Sequence, residues 1–165
     1  MRKLLPVLAA AAAVAACASL GSLRGIIQPP RFEQARDEQP EVRLVGPSSG
    51  RLLGGAVVRL WTKVSNPNPF GFTLSTLDGT LYLDDVRAAT SVFPLGLPLT
   101  AGGETTIPIE LSIDFAEIPG LSGVIRNAIA RQPVAFRLEG TVGVDAGRLG
   151  SPRFGPMTFM HGTFD

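Results

Sequence analysis

Apolar and polar residues alternate with a period of two over long stretches of this chain, and this pattern constrains the fold more than any other feature. The clearest run covers residues 107–115, where every second residue is apolar. Residues 56–65, 77–84 and 134–144 alternate in the same way, and shorter runs cover residues 41–45, 88–93 and 157–164. Alternation of this kind is typical of half-buried strands. With frequent Gly and Pro between the runs, it predicts one all-β domain, an antiparallel β-sandwich of about seven strands.

Two details refine this prediction. Pro108 removes one backbone donor from the strand at 107–115, so that strand is expected at a sheet edge or with this position facing outward. Residues 118–131 break the alternation, and Pro133 follows them. Their apolar residues instead have the spacing of one short amphipathic helix packed on the sandwich. These residues are Leu121, Val124, Ile125, Ala128 and Ile129.

Composition excludes several classes of function. The 15 basic and 14 acidic side chains nearly balance and are scattered, so a nucleic-acid partner is not expected. One Cys and one His cannot form a structural zinc site or a disulfide framework. The chain is therefore expected to bind no metal and no cofactor.

Catalytic residues are not evident either. His161, the single histidine, lies in a predicted strand and is expected to be solvated. The acidic pairs Asp84–Asp85 and Asp114–Glu117 fit turns, with a carboxylate pair or a weak calcium site as the alternatives. The glycine pairs at 54–55 and 102–103 are not followed by a helix and indicate turns, not phosphate-binding loops. We expect a protein that is not an enzyme.

The N-terminus has the features of an export signal. Arg2 and Lys3 precede a thirteen-residue apolar run over residues 4–16, which is too short to span a bilayer. This run ends in small residues before Cys17, an arrangement that resembles a bacterial lipobox. The resemblance implies a signal peptide over residues 1–16 and lipidation of Cys17; cleavage near Ala16 by a conventional signal peptidase is the alternative. Ala18 follows the Cys in place of Asp, which by analogy with bacterial lipoprotein sorting rules favours the outer membrane. The expected location is therefore the cell envelope, lipid-anchored and facing the periplasm.

Residues 17–40 connect this signal to the predicted domain at residues 41–165. They include three prolines and a charged stretch, which is typical of a tether. The alternative is that Ile26, Ile27 and Phe32 pack on the domain as an N-terminal strand.

The most unusual stretch of the sequence is Asn66, Pro67, Asn68, Pro69 and Phe70. Its two prolines interrupt strand pairing, and its asparagines can bond nearby backbone groups, so a strand has to end or kink there. The stretch closely resembles the signature of the type 2 late embryogenesis abundant proteins and their water stress and hypersensitive response (WHy) domain. Residues 77–86, 97–104 and 106–115 resemble the strand, turn and strand that follow in that family.

The resemblance implies an immunoglobulin-like or fibronectin-III-like sandwich with a short helix. It also implies a non-enzymatic role in tolerance of desiccation or other water stress, here at a membrane reached through the lipid anchor, with client proteins or envelope proteins as partners. The alternative function is an interaction or lipid-binding module of an outer-membrane machine, with Phe70, Phe72, Leu74 and residues 93–95 as an apolar rim. The sequence does not fix the oligomeric state.

Overall fold

Eight strands and one α-helix form the part of the chain that the structure, a computed structural model, describes, residues 27–164. The helix α1 (Ser122–Ile129) lies between the sixth and seventh strands. The strands are β1 (Arg31–Gln34), β2 (Glu41–Val45), β3 (Gly55–Ser65), β4 (Phe72–Leu83), β5 (Val86–Leu99), β6 (Glu104–Asp114), β7 (Val134–Asp145) and β8 (Arg153–Phe164). The predicted signal peptide, residues 1–16, and Cys17 lie outside the described residues.

The strands form two four-stranded antiparallel sheets. In the first sheet, β1 and β2 pair with successive halves of one side of β3, and β6 pairs with β3 along its other side. The order in the second sheet is β5-β4-β7-β8. This confirms the predicted all-β antiparallel sandwich with one short helix.

Apolar side chains from the inner faces of the two sheets form the core. In β3, for example, Val58, Leu60 and Val64 are buried, and the residues between them are only half-buried or polar. Complete burial of such a side chain stabilises the fold by roughly 1.5–3 kcal/mol. The largest fully buried side chains come from both sheets and the helical segment: Phe159, Leu60, Leu74, Leu77, Leu81, Ile109, Leu111, Ile113, Leu121 and Leu138.

Prolines within the strands occur at sheet edges. Pro108 lies in β6, which has β3 as its one paired strand among the described residues, as predicted for a strand that lacks a backbone donor. Pro94 and Pro98 lie in β5, the edge strand of the second sheet. Edge positions tolerate proline because one side of the strand has no ladder to interrupt.

Residues 27–35, within the predicted tether, belong to the sandwich. Residues 31–34 pair with β3, the Phe32 ring lies 4.6 Å from the Phe159 ring between centroids, and Ile27 is buried. The Ala35 amide donates to the carbonyl of Trp61 at 3.0 Å. The alternative of an N-terminal strand describes this segment, because Phe32 packs against the core and Ile27 and Ala35 are buried. It also raises the strand count from about seven to eight.

The helix is shorter than residues 118–131. A 3-10 turn (Pro119–Leu121) precedes α1, and only the start of the predicted apolar stripe is buried, at Leu121 and Val124. Ile129, at the other end of α1, is 77% exposed. None of the helices within residues 27–164 is long and apolar enough to cross a membrane.

Candidate functional site

The stretch from Asn66 to Phe70 forms the connection between β3 and β4. Pro69 is exposed, and Pro67 and Phe70 are half-buried. In contrast, the two asparagine side chains are each only 1% exposed. Buried amides have to form hydrogen bonds, because an unpaired one costs about 1–3 kcal/mol.

The Asn66 side chain uses both its donors and both acceptor positions of its oxygen. Its Nδ2 donates to the carbonyl oxygens of Phe70 and Thr100, at 2.8 and 2.9 Å. Its Oδ1 accepts from the backbone N and from Nδ2 of Asn68, at 2.9 and 3.0 Å. The bond to Phe70 is local, whereas the bond to Thr100 links this loop to the turn between β5 and β6. The backbone N–H of Asn66 also donates to the carbonyl of Gly103 in that turn, at 2.9 Å.

Asn68 extends the network to the N-terminal segment. Its Nδ2 donates to the Gln28 carbonyl at 2.9 Å, and its Oδ1 accepts from the Gln28 amide at 2.8 Å. This two-way pairing imitates the pairing of neighbouring strands. We call the side chains of Asn66 and Asn68, with their partners Gln28, Phe70 and Thr100, the asparagine clamp.

The asparagine clamp joins three segments at one end of the sandwich: the start of the described chain, the β3–β4 loop and the β5–β6 turn. Asn66 and Asn68 bond to backbone groups and to each other, so the clamp holds structure and presents no nucleophile or acid to solvent. The described chain begins beside the clamp, at Ile27. Cys17, the predicted lipidation site, precedes it in the sequence.

The acidic pairs participate in turns. Asp84 and Asp85 have positive φ values of 45° and 62° in the β4–β5 hairpin. The Asp84 carboxylate accepts from the Ala135 amide at 2.9 Å. Asp114 accepts from the Ala116 amide at 2.9 Å, as Asp does in a turn that caps a strand end. Within residues 27–164, no group of three or more His, Cys, Asp and Glu side chains is arranged to hold a metal ion.

The glycine pairs lie in turns as well. Gly54 has φ +72° and its amide donates to the Arg51 carbonyl, and Gly102 has φ +64° in the turn that the Gly103 amide closes onto Thr100. The left-handed backbone at Gly54 and Gly102 favours glycine.

His161 lies exposed on β8, beside a shallow depression of about 300 Å³ on the outer face of the second sheet. Arg137 crosses this depression: its guanidinium carbon lies 4.9 Å from the centroid of the Tyr82 ring, and it forms an ion pair with Asp85 at 3.3 Å. These contacts make a polar surface on which no hydroxyl or thiol from residues 27–164 is hydrogen-bonded to the histidine.

The first sheet has a charged ladder on its outer face. Arg59 pairs with Glu110 at 2.7 Å and with Glu41 at 3.6 Å, and Lys63 pairs with Glu104 at 2.7 Å. The hydrogen bond with Glu110 raises the pKa of Arg59 above its ordinary value. All of these side chains are well exposed, so their contribution to stability is small.

Hydrogen bonding of the buried polar side chains is nearly complete. Of their nitrogen and oxygen atoms in residues 27–164, Trp61 Nε1 alone has no hydrogen-bond partner. The buried Thr62, for instance, donates its hydroxyl to the carbonyl of Glu33 at 3.1 Å. The fold thus satisfies its interior polar groups with its own atoms.

Of the predicted apolar rim, Phe72 and Leu74 are core residues. The sequence predicted Asn66 and Asn68 as turn residues, and it missed Gln28 as their partner. Gln28 is 40 residues from Asn68 in the chain and lies in no recognisable pattern. No local signal could have identified it.

Comparisons with known proteins complete the description. A family model described as "Late embryogenesis abundant protein" matches residues 62–157, more than half of the chain. No match was found among curated protein sequences.

The chain is similar to several solved structures, and the first of those described below shares its fold. A solution structure of a protein from Arabidopsis thaliana is 16% identical, covers 84% of this chain and 82% of its own, and has a TM-score of 0.60. A second solution structure, described as that of a late embryogenesis abundant (LEA) protein, is 15% identical and covers 96% and 87% with a TM-score of 0.48. A crystal structure of a protein from Archaeoglobus fulgidus is 14% identical and covers 77% and 94% with a TM-score of 0.46.

Proposed function

The chain belongs to the late embryogenesis abundant family LEA_2, and from this premise we propose that it is a lipid-anchored, non-enzymatic protein that protects the bacterial cell envelope during water loss. The family match supports a role in desiccation or related stress. The anchor rests on the N-terminal sequence, where Cys17 follows the apolar run over residues 4–16. The WHy assignment of the domain belongs to the same proposal and rests on the motif from Asn66 to Phe70.

The observation that carries this proposal is the hydrogen bonding of the interior. Asn66, Asn68 and Thr62 are buried, and other groups of the protein satisfy their hydrogen bonds. Loss of water around the domain therefore removes no hydrogen-bond partner from these groups. A domain that keeps its fold as water is lost can go on shielding neighbouring membranes and proteins from contact with one another.

The position of the asparagine clamp supports anchorage at a membrane. Gln28 is held at the end of the sandwich where the described chain begins, and ten residues lie between Cys17 and Gln28, an interval of eleven Cα–Cα steps. Fully extended, a segment of this length spans at most roughly 35–40 Å. A lipid on Cys17 would thus keep Gln28, at the clamped end of the domain, within roughly 40 Å of the bilayer. The proposed membrane is the outer membrane, with the domain in the periplasm.

Survival of a deletion strain through drying and rehydration tests the proposal. The strain is complemented with the wild-type gene, with Cys17→Ser, or with Asn127→Ala as a matched control expected to keep both anchor and fold. We expect wild type and the control to restore survival and Cys17→Ser to fail at equal protein abundance. Equal survival of the deletion strain and wild type would refute the protective function, and full rescue by Cys17→Ser would refute the need for the anchor.

A further inference from the structure

Strand β2 carries two apolar side chains that point to the core side of its sheet but are not covered. Val42 lies opposite Val58 and Leu44 opposite Ala56 in the β2–β3 pairing, so each pair shares one face. Val58 and Ala56 are buried, whereas Val42 is 50% exposed and Leu44 is 76% exposed. The inner face of the first sheet therefore extends beyond the area that the second sheet covers.

Val42 and Leu44 are exposed because β2 has fewer neighbours than β1. Both pair with the same side of β3, but β1 also packs against β8 across the sandwich, through Phe32 and Phe159. Strand β2 packs against β3, and no other strand within residues 27–164 contacts it as extensively. Among the described residues, no strand pairs with its outer edge and its apolar inner side is left largely exposed. Leu52 and Leu53, in the connection from β2 to β3, add further exposed apolar surface.

We propose that β2 is the interface of a homodimer, in which it pairs edge to edge with β2 of a second copy and continues the first sheet across a twofold axis. An exposed strand edge is a ready template for such pairing. Pro40 precedes β2 and Pro47 follows it closely, so edge-to-edge pairing is limited to the few residues between them. A twofold contact over a short window closes on itself and gives a dimer, not a fibre.

Charge complementarity selects the register and favours a second copy of the chain as the occupant. A twofold axis perpendicular to the sheet can place Val42 opposite Val42 of the second copy. Glu41 then lies opposite the second copy's Arg43, and Arg43 opposite the second copy's Glu41, on the outer face. If the twofold axis instead passes beside Arg43, this residue lies opposite Arg43 of the second copy. Like charges directly opposite each other are unfavourable. Of these two registers, only the one that places Val42 opposite Val42 gives complementary charges.

Disulfide crosslinking tests this register. The full-length chain carries Cys17→Ser, which removes its single native cysteine, and is purified in a non-ionic detergent. We expect Val42→Cys to form a disulfide-linked dimer under mild oxidation, because directly opposite residues lie about 4.5–5.5 Å apart between Cα atoms, within disulfide reach. The matched control is Val92→Cys on β5, since Val92 is 61% exposed and is also an edge-strand valine. It should stay monomeric under the same conditions.

Charge exchange provides a second, independent readout. Glu41→Arg or Arg43→Glu alone creates two like-charge pairs and should weaken association, measured by analytical ultracentrifugation, by about tenfold. The double variant removes the exposed ion pair between Glu41 and Arg59 but restores the two opposite-charge pairs between the copies, so it should return association to within about threefold of the parent chain. Thermal melts of each variant separate a change in association from a loss of fold.

Several results would overturn the proposal. They are a monomeric parent chain at every concentration measured, equal crosslinking at Val42→Cys and Val92→Cys, or a linked dimer with Leu44→Cys but not with Val42→Cys. Failure of the double charge exchange to restore association would also contradict the register. These measurements are made in solution and do not depend on the proposed protective function.

Discussion

Replacement of Asn66 by alanine is the most informative perturbation of the fold. The side chain makes four hydrogen bonds at 2.8–3.0 Å, and alanine would leave the carbonyls of Phe70 and Thr100 and two nitrogens of Asn68 without these partners. With a net contribution of roughly 0.5–1.5 kcal/mol per bond, the loss comes to about 4 kcal/mol. This is a large part of the 5–15 kcal/mol that typically separates folded from unfolded states.

Thermal and urea unfolding of the full chain measure this effect. For a chain of about this size, 4 kcal/mol corresponds to a decrease in Tm of roughly 10–15 °C. The single tryptophan, Trp61 in β3, provides a fluorescence signal for the unfolding of the first sheet. The transition should remain cooperative, because the clamp joins elements of both sheets.

Asn127→Ala is the matched control. Asn127 is half-buried, and its side chain makes one long hydrogen bond, 3.3 Å, to Asp84. Alanine also favours the helix at this position, so the change in stability should be below about 1 kcal/mol. If Asn66→Ala changed the stability as little as Asn127→Ala, the clamp would not be the structural element described above.

Further predictions concern packing and backbone conformation, each checked by the free energy of unfolding. Gly140→Ala should destabilise the fold by several kcal/mol or prevent folding, because the new Cβ would collide with the backbone oxygen of Asp78 in β4. Gly123→Ala should instead stabilise by about 0.5–1 kcal/mol, because Gly123 lies in α1 and a Cβ there meets open space. Leu60→Ala removes a fully buried side chain and should cost about 2–5 kcal/mol. Asp85→Gly should stabilise by up to about 1 kcal/mol, since φ is +62° there and the ion pair with Arg137 is exposed; a loss of stability would show that the ion pair outweighs the backbone effect.

The strands could be predicted from the sequence wherever burial alternates over a long run. Strand β6 is the clearest example, since residues 107–115 alternate without interruption and Pro108 correctly predicts an edge. Strand β1 could not be found in this way. It has four residues, lies among charged and proline-rich neighbours, and exists because Phe32 reaches the core when β3 is already in place.

The helix and the asparagine clamp show a second limit. The spacing of apolar residues predicts which face of α1 is apolar, but not that the sandwich ends before it can cover Ile129. Likewise, the Asn-Pro-Asn-Pro pattern predicts an interrupted strand and local bonds. The bonds to Thr100 and Gln28 depend on which segments meet at that end of the fold, and this is a property of the topology. Lipidation of Cys17 stays a prediction of the sequence.

The most direct test of a domain that stays folded without water is infrared spectroscopy of the amide I band in a film of the purified chain, dried and then rehydrated. The account predicts that wild type keeps its β-sheet band in the dry film and regains its solution spectrum on rehydration, whereas Asn66→Ala loses part of that band on drying. Loss of the β-sheet band from the dry wild-type film would contradict the account.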